Sequence, residues 1–243
     1  MKKPIVYIDQ LAATNDKLYL QFKDAAELIG LSDDAKSANT IFIKPNLTYP
    51  RFKEGVTTRV EFVKYLIEML KEVNPNLNIY IGEGDGGYHS FSMTEALKNM
   101  GFLELQDKFA NVKVINLSQI PSTTVNVNTI NNPLLIDLPL IFFDEIDFSI
   151  SCPLPKIHCM TKVTLSYKNQ WGCLPNVFRL QYHYMLEHII ARISYMLKFK
   201  YAFLDGKYGL NNNGPMAGDP IEVNWFAASN SLGAFDLIVA EMM

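Results

Sequence analysis

Ile41-Phe42-Ile43-Lys44-Pro45-Asn46 is the stretch on which the fold turns. Three β-prone apolar residues run straight into a lysine, a proline and an asparagine. A short apolar run closed in this way reads as a buried strand opening into a polar loop. Upstream, Lys17–Ile29 carries Leu18, Phe22, Ala25, Ala26 and Ile29 at helical spacing, and Ile5–Ile8 is a first strand. Downstream, Thr58-Arg59-Val60-Glu61 has a capping-box pattern and opens a helix with Phe62, Leu66, Met69 and Leu70 on one side. Leu77–Ile81 is the next strand. Ser92-Met93-Thr94-Glu95 is a second capping box, starting a helix that stops at Gly101, and Val112–Ile115 is a strand again.

The rhythm resumes at Ile146–Ser151. It continues with a long helix over Tyr182–Phe199, strands at Tyr201–Leu204 and Val223–Ala228, and a last helix from Gly233 to Met243. Strands alternating with helices predict an α/β fold, a mostly parallel sheet with helices on both faces. One segment departs from it. Over residues 122–136, Val125 and Val127 alternate with polar residues, Asn131-Asn132-Pro133 is a turn, and Leu134–Ile136 can pair back as a β-hairpin excursion. No linker divides the chain, so residues 1–243 read as a single domain. The end falls inside a helix without a capping residue, and the domain is expected to be incomplete at its C-terminus.

The bulk numbers exclude several classes of function. A net charge of −3 without a basic run argues against nucleic acid as a partner. Cys152, Cys159 and Cys173 form no C-x-x-C pair, which argues against a disulfide framework and a cysteine-only metal site. The start is a strand and not a signal peptide. The longest apolar run, near Leu138–Phe143, is closed by Asp144 and Glu145, well short of the roughly 18 residues of a membrane span. A cytoplasmic location, away from the membrane, is the expectation.

The residues with chemistry follow the strands. Lys44 and Asn46 follow the second strand, and Gly82, Glu83 and Gly84 the third. Lys156 and His158 follow Ile146–Ser151, and Asp205 with Asn213 and Gly214 follows Tyr201–Leu204. Ligands of open α/β sheets sit outside the carboxyl ends of the strands, so these groups converge on one rim. The glycine turn lacks the spacing of a dinucleotide fingerprint and has no Walker lysine; its Glu83 and Asp85 suit a metal or a hydroxyl better than a phosphate.

Lys156–Lys168 is the densest segment, with Lys156, Lys162 and Lys168 in thirteen half-buried residues. Read as a helix, Thr161, Thr164 and Lys168 share a face. A lysine buried beside hydroxyls invites an anion, a lowered pKa or covalent chemistry, whereas lysines on a surface helix would merely snorkel. His158 is the leading candidate base and His183 the second. His89 is placed to reach the rim, and His188 is a surface histidine. No histidine pair has the i, i+4 spacing of a helical zinc site.

Taken in order, Lys44-Pro45-Asn46, Gly82–Gly84, Pro155-Lys156-Ile157-His158, Thr161, Thr164, Lys168-Asn169, Gly172, His183, Asn213-Gly214-Pro215, Gly218 and Pro220 resemble the domain of unknown function 362 family. That resemblance implies no established reaction. Some relatives carry ferredoxin-like cysteine motifs, and this chain has none, so no iron–sulfur cluster of its own is expected. More distantly, Thr58-Arg59 with the order His158, Lys168, His183 is similar to the N-terminal domain of lactate racemase. There the lysine carries a nickel pincer nucleotide and a histidine ligates the nickel. This likeness implies a divalent metal or nickel-type organometallic cofactor, with Lys168 as its anchor and His183 as metal ligand. The histidine-containing turn of the racemase is absent at Gly82-Glu83-Gly84-Asp85.

The expectation is an enzyme or ligand-binding domain of lyase, isomerase or redox type for a small anionic metabolite or nucleotide-like cofactor. His158, Lys168 and His183 would be catalytic. Lys44, Asn46, Thr58, Arg59, Gly82, Glu83, Gly84, Lys156, Thr161, Thr164, Asn169, Asp205, Asn213 and Gly214 would bind the ligand. The alternatives are a non-catalytic binding or assembly module, as a homo-oligomer or with a partner protein, and an accessory to an iron–sulfur electron-transfer protein.

Overall fold

The computed structural model describes residues 3–127 and 133–243. Its strands are β1 (Val6–Gln10), β2 (Thr40–Pro45), β3 (Asn78–Glu83), β4 (Val112–Asn116), β5 (Ser122–Asn126), β6 (Leu135–Pro139), β7 (Phe148–Cys152), β8 (Lys156–His158), β9 (Lys162–Thr164), β10 (Phe199–Asn211) and β11 (Asp219–Ser229). The main sheet runs β1-β11-β10-β7-β2-β3-β4. From β10 to β4 all neighbours are parallel, while β1 and β11 add an antiparallel edge. The hairpin excursion is present as β5 paired with β6. The turn expected at Asn131-Asn132-Pro133 falls on 131–132, outside the described residues.

The helices are α1 (Asn15–Leu28), α2 (Leu31–Ser37), α3 (Val60–Val73), α4 (Met93–Asn99), α5 (Glu104–Lys108), α6 (Ile141–Asp144), α7 (Ser166–Asn169), α8 (Leu186–Met196) and α9 (Leu232–Met242). The strand alternation sorts the core into layers. Ile41 and Ile43 face one side of β2, against a cluster that includes Phe22, Phe62 and Leu66, whereas Phe42 faces the other, with Ile136, Phe142, Trp171 and Ile189. On β10, Tyr201 and Phe203 join the first layer, while Ala202 and Leu204 pack with Phe235 and Val239 of α9. Among the described residues, no helix is long and apolar enough to cross a membrane.

Four local expectations are corrected. Neither capping box forms, because distant carboxylates take its place. Asp205 Oδ2 accepts from the Arg59 amide at 2.8 Å at the head of α3, and Asp85 Oδ1 accepts from the Met93 amide at 2.7 Å at the head of α4. Residues 156–164 are not helical. They form a β8–β9 hairpin, with His158 opposite Lys162 and Lys156 opposite Thr164. Thr164 and Lys168 are therefore not neighbours on a helix. The long helix expected over Tyr182–Phe199 is a 3-10 turn over Arg179–Met185 followed by α8, which stops at Met196 because β10 begins at Phe199.

Candidate functional site

Parallel strands present their carboxyl ends to one side, and the loops leaving β2, β3 and β7 meet there over the β8–β9 hairpin and α7. The residues they carry line a cavity of about 310 Å³. Its polar wall is Asn46, Thr48, Glu83, Lys156, His158, Thr164, Lys168, Asn169, Arg179 and His183. Its apolar wall includes Leu47, Phe91, Trp171, Leu180 and Met216. That size and mixture suit a small molecule with a polar end.

At the floor, Lys44 is fully buried and its Nζ donates to Glu83 Oε2, to the Pro45 carbonyl at 2.7 Å and to Asn169 Oδ1 at 3.5 Å. Glu83 Oε2 also accepts from the Leu47 amide at 3.1 Å. The Glu83 carboxylate is thus clamped on one oxygen and bare on the other. Lys156, also fully buried, donates to Asn46 Oδ1 at 2.9 Å, to the Val56 carbonyl at 3.1 Å and to Thr48 Oγ1 at 3.2 Å. Burial, with Lys168 nearby, brings its pKa down to about 7.

Arg179 is bound by backbone alone. Its Nη2 donates to the Asp85 carbonyl at 2.7 Å, and Nη1 reaches the carbonyls of Asn176 and Leu174 at 3.3 and 3.4 Å. Lys168 differs. Its Nζ lies 5.8 Å from the centre of the Trp171 ring and makes no hydrogen bond among the described residues. Burial, then Arg179, brings its pKa down to about 8. Trp171 is stacked on its other neighbour, His183, at 5.3 Å and 16°.

The two histidines are neutral at pH 7. Burial and the charge on Lys168 push both to about 4. His158 Nδ1 accepts from the amides of Met160, at 3.1 Å, and Thr161, at 3.4 Å. In the neutral ring the proton then sits on Nε2. Nε2 is then the hydrogen-bond donor of the His158 ring. Among the described residues, His183 Nε2 has no hydrogen-bond partner.

Buried side-chain atoms without a hydrogen-bond partner are uncommon in folded proteins. Among the described residues they are Glu83 Oε1, Thr164 Oγ1, Gln170 Oε1, Trp171 Nε1 and His183 Nε2. Four of these five belong to residues on the cavity wall.

Other residues marked in the sequence have structural roles. Thr58 Oγ1 accepts from the Asn46 amide and donates to the Cys152 carbonyl, both at 2.8 Å. Arg59 Nε donates to Asp205 Oδ1 at 2.8 Å, and neither residue lines the cavity. Gly82 packs against the Ile115 backbone, and Gly214 lies against the Ile157 carbonyl, where any Cβ would collide. Thr161 bonds the Val163 carbonyl and faces other clefts. Asn213, His89 and His188 are exposed and do not line the cavity, although His89 lies between the lining residues Gly87 and Ser90. Trp171, Thr48 and Arg179 were not marked. For Arg179 the available signal was a lone arginine in an otherwise uncharged stretch, Trp171–Leu180.

Among the described residues, no group of three or more His, Cys, Asp or Glu side chains could hold a metal ion. A metal brought by an organic group with its own ligands needs less. The orphaned Nε2 of His183 and the unbonded amine of Lys168 fit such a group, and these two residues would hold it.

An open α/β sheet with a lysine- and histidine-lined cavity at the strand ends is the class that this geometry defines. The chain belongs to the family Domain of unknown function (DUF362), whose model matches residues 41–241. It is 24% identical over 222 residues to the thylakoid-associated protein sll1697 of Synechocystis, covering 88% of this chain and 66% of that protein. Its fold is similar to that of the lactate racemase apoprotein from Thermoanaerobacterium thermosaccharolyticum. The TM-score is 0.55 at 11% identity, over 91% of this chain and 54% of that one. The chain thus spans only part of the length of both.

Proposed function

We propose that the cavity binds a small anionic metabolite and carries out acid–base chemistry on it, with Lys168, His158 and His183 as the working groups. The observation that carries this reading is the charge of the wall. Lys156, Lys168 and Arg179 face a single carboxylate, Glu83, which Lys44 already neutralises. A buried excess of positive charge is stabilised by an anion. Asn46 and Asn169 act indirectly, by holding Lys156 and Lys44 in place. His158 would donate a hydrogen bond from Nε2, and His183 Nε2 would accept or share a proton. The same anion seat would take the phosphate of a nucleotide-like cofactor anchored through Lys168 and His183.

The test is thermal unfolding of the wild type and of Lys168→Met with inorganic phosphate, acetate, pyruvate and a phosphate monoester. At least one anion should raise the wild-type melting temperature, with the rise much reduced in the variant. Identical responses in the two proteins would refute the assignment.

A further inference from the structure

We infer that Lys168 is a nucleophile that forms a covalent imine with the carbonyl carbon of a small carbonyl compound carrying an anionic group. This inference rests on the anion-binding reading of the same cavity and adds the substrate class.

The three buried or half-buried lysines of the site are not equivalent. An ammonium has three donors. Lys44 spends its three on Pro45, Glu83 and Asn169, and Lys156 spends its three on Asn46, Thr48 and Val56. Both are turned to protein acceptors; Lys156, although its pKa is lowered too, points its nitrogen at Asn46, Thr48 and Val56 and not at a ligand. The Arg179 guanidinium is likewise tethered to three backbone carbonyls. Lys168 alone among these cations makes no hydrogen bond to the described residues, and it lines the cavity at the strand ends beside a Trp171 ring. A group meant only to hold an anion gains nothing from losing its charge. A group meant to attack a carbonyl must be a neutral amine. Burial works in that direction first, and the surrounding cations Arg179 and Lys44 add to it. They also attract the anionic end of the substrate, and so bring an electrophile to the amine that they deprotonate.

The chemistry balances with groups on the wall. The Lys168 nitrogen attacks the carbonyl carbon, a C–N bond forms, and the C=O π pair moves to oxygen. His158 Nε2–H donates a hydrogen bond to that oxygen as charge builds on it. The unpartnered His183 Nε2 takes one proton from the nitrogen and passes it to the oxygen, giving the neutral carbinolamine. The second N–H proton follows by the same histidine to the hydroxyl as the C–O bond breaks, so that water leaves and the imine remains, with no oxidant or reductant consumed.

The experiment treats the full chain with pyruvate or glyoxylate, then sodium borohydride, which reduces an imine to a stable secondary amine. Intact mass and peptide mapping follow, with thermal shift by the same acids measured in parallel. The expected result is one adduct per chain, mapped to Lys168. Lys168→Arg, which keeps the charge but cannot form the imine, should retain the thermal shift and lose the adduct; Lys168→Met should lose both. A thermal shift without an adduct, or an adduct spread over other lysines and equal in Lys168→Arg, overturns the imine and leaves the anion site standing. Neither shift nor adduct with any acid overturns both.

Discussion

Gly172 lies directly over the Glu83 carboxylate: a Cβ built on Gly172 would fall 1.5 Å from Glu83 Oε1. The glycine is required here by close approach, since only a residue without a side chain leaves room for the carboxylate. Gly172→Ala must displace Glu83 or the backbone of the Trp171 turn. The predicted cost is about 1–3 kcal/mol, as for other overpacked sites. Chemical denaturation should register that loss, and anion binding should weaken with it, because Trp171 positions both Lys168 and His183. A fully stable, binding-competent variant would show that Glu83 is not fixed where it lies.

Lys44 and Glu83 form an almost completely buried ion pair, with side-chain exposures of 0% and 4%. Glu83→Leu leaves the ammonium of Lys44 without its counter-charge, and breaking a buried pair from one side costs about 3–5 kcal/mol. The double variant Lys44→Met, Glu83→Leu should recover much of that loss. Equilibrium unfolding of the two variants measures both effects; equal stability of single and double variants would contradict the pairing.

Asp205 ties Arg59 and the first amide of α3 to β10, at 1% side-chain exposure. Asp205→Ala should therefore destabilise the protein by about 3 kcal/mol or more while leaving the affinity of the cavity for its anion within about twofold under conditions where the variant is folded. Titration calorimetry with the anion that stabilises the wild type tests this. A collapse of affinity in the folded variant would return Asp205 to the ligand.

The pH dependence has a definite sign. Lys156 and Lys168 are lowered from 10.5 to about 7 and about 8, so the unfolded chain binds more protons than the folded one above about pH 7. The stability of the ligand-free protein should then rise with pH from about 7 until the thiols of Cys152 and Cys173, which burial keeps protonated in the folded state, begin to ionise in the unfolded chain near 9. The two histidines, lowered from 6.5 to about 4, act in the same direction below that window, but Asp236, raised from 3.8 to about 6, opposes them there. Anion affinity should run the other way. An anion favours the ammonium forms, so affinity falls as pH rises through about 7 to 8. Melting curves with and without anion across pH 7–9 distinguish these trends; affinity that rises with pH would exclude the lysines as the anion seat.

The rim was legible because strand periodicity is legible: Ile41–Ile43 places Lys44 and Asn46 at a strand end, and Leu77–Ile81 does the same for Glu83. The β8–β9 hairpin was not, since strands of three residues, Lys156–His158 and Lys162–Thr164, carry too little alternation to compete with a helical reading. Thr58 and Asp205 were read as ligand contacts because a buried polar residue looks the same in sequence whether it meets a ligand or a backbone amide. Arg179 reaches the cavity through a 3-10 turn with no periodic pattern, and its partners are carbonyls, which any residue supplies.

The most direct measurement is a crystal structure of the protein soaked with pyruvate near pH 7. The account predicts the acid in the cavity at the strand ends, its carbonyl carbon at Lys168 Nζ and His158 Nε2 within hydrogen-bond reach of its oxygen. Pyruvate bound elsewhere, with only water between Lys168 and His183, would contradict it.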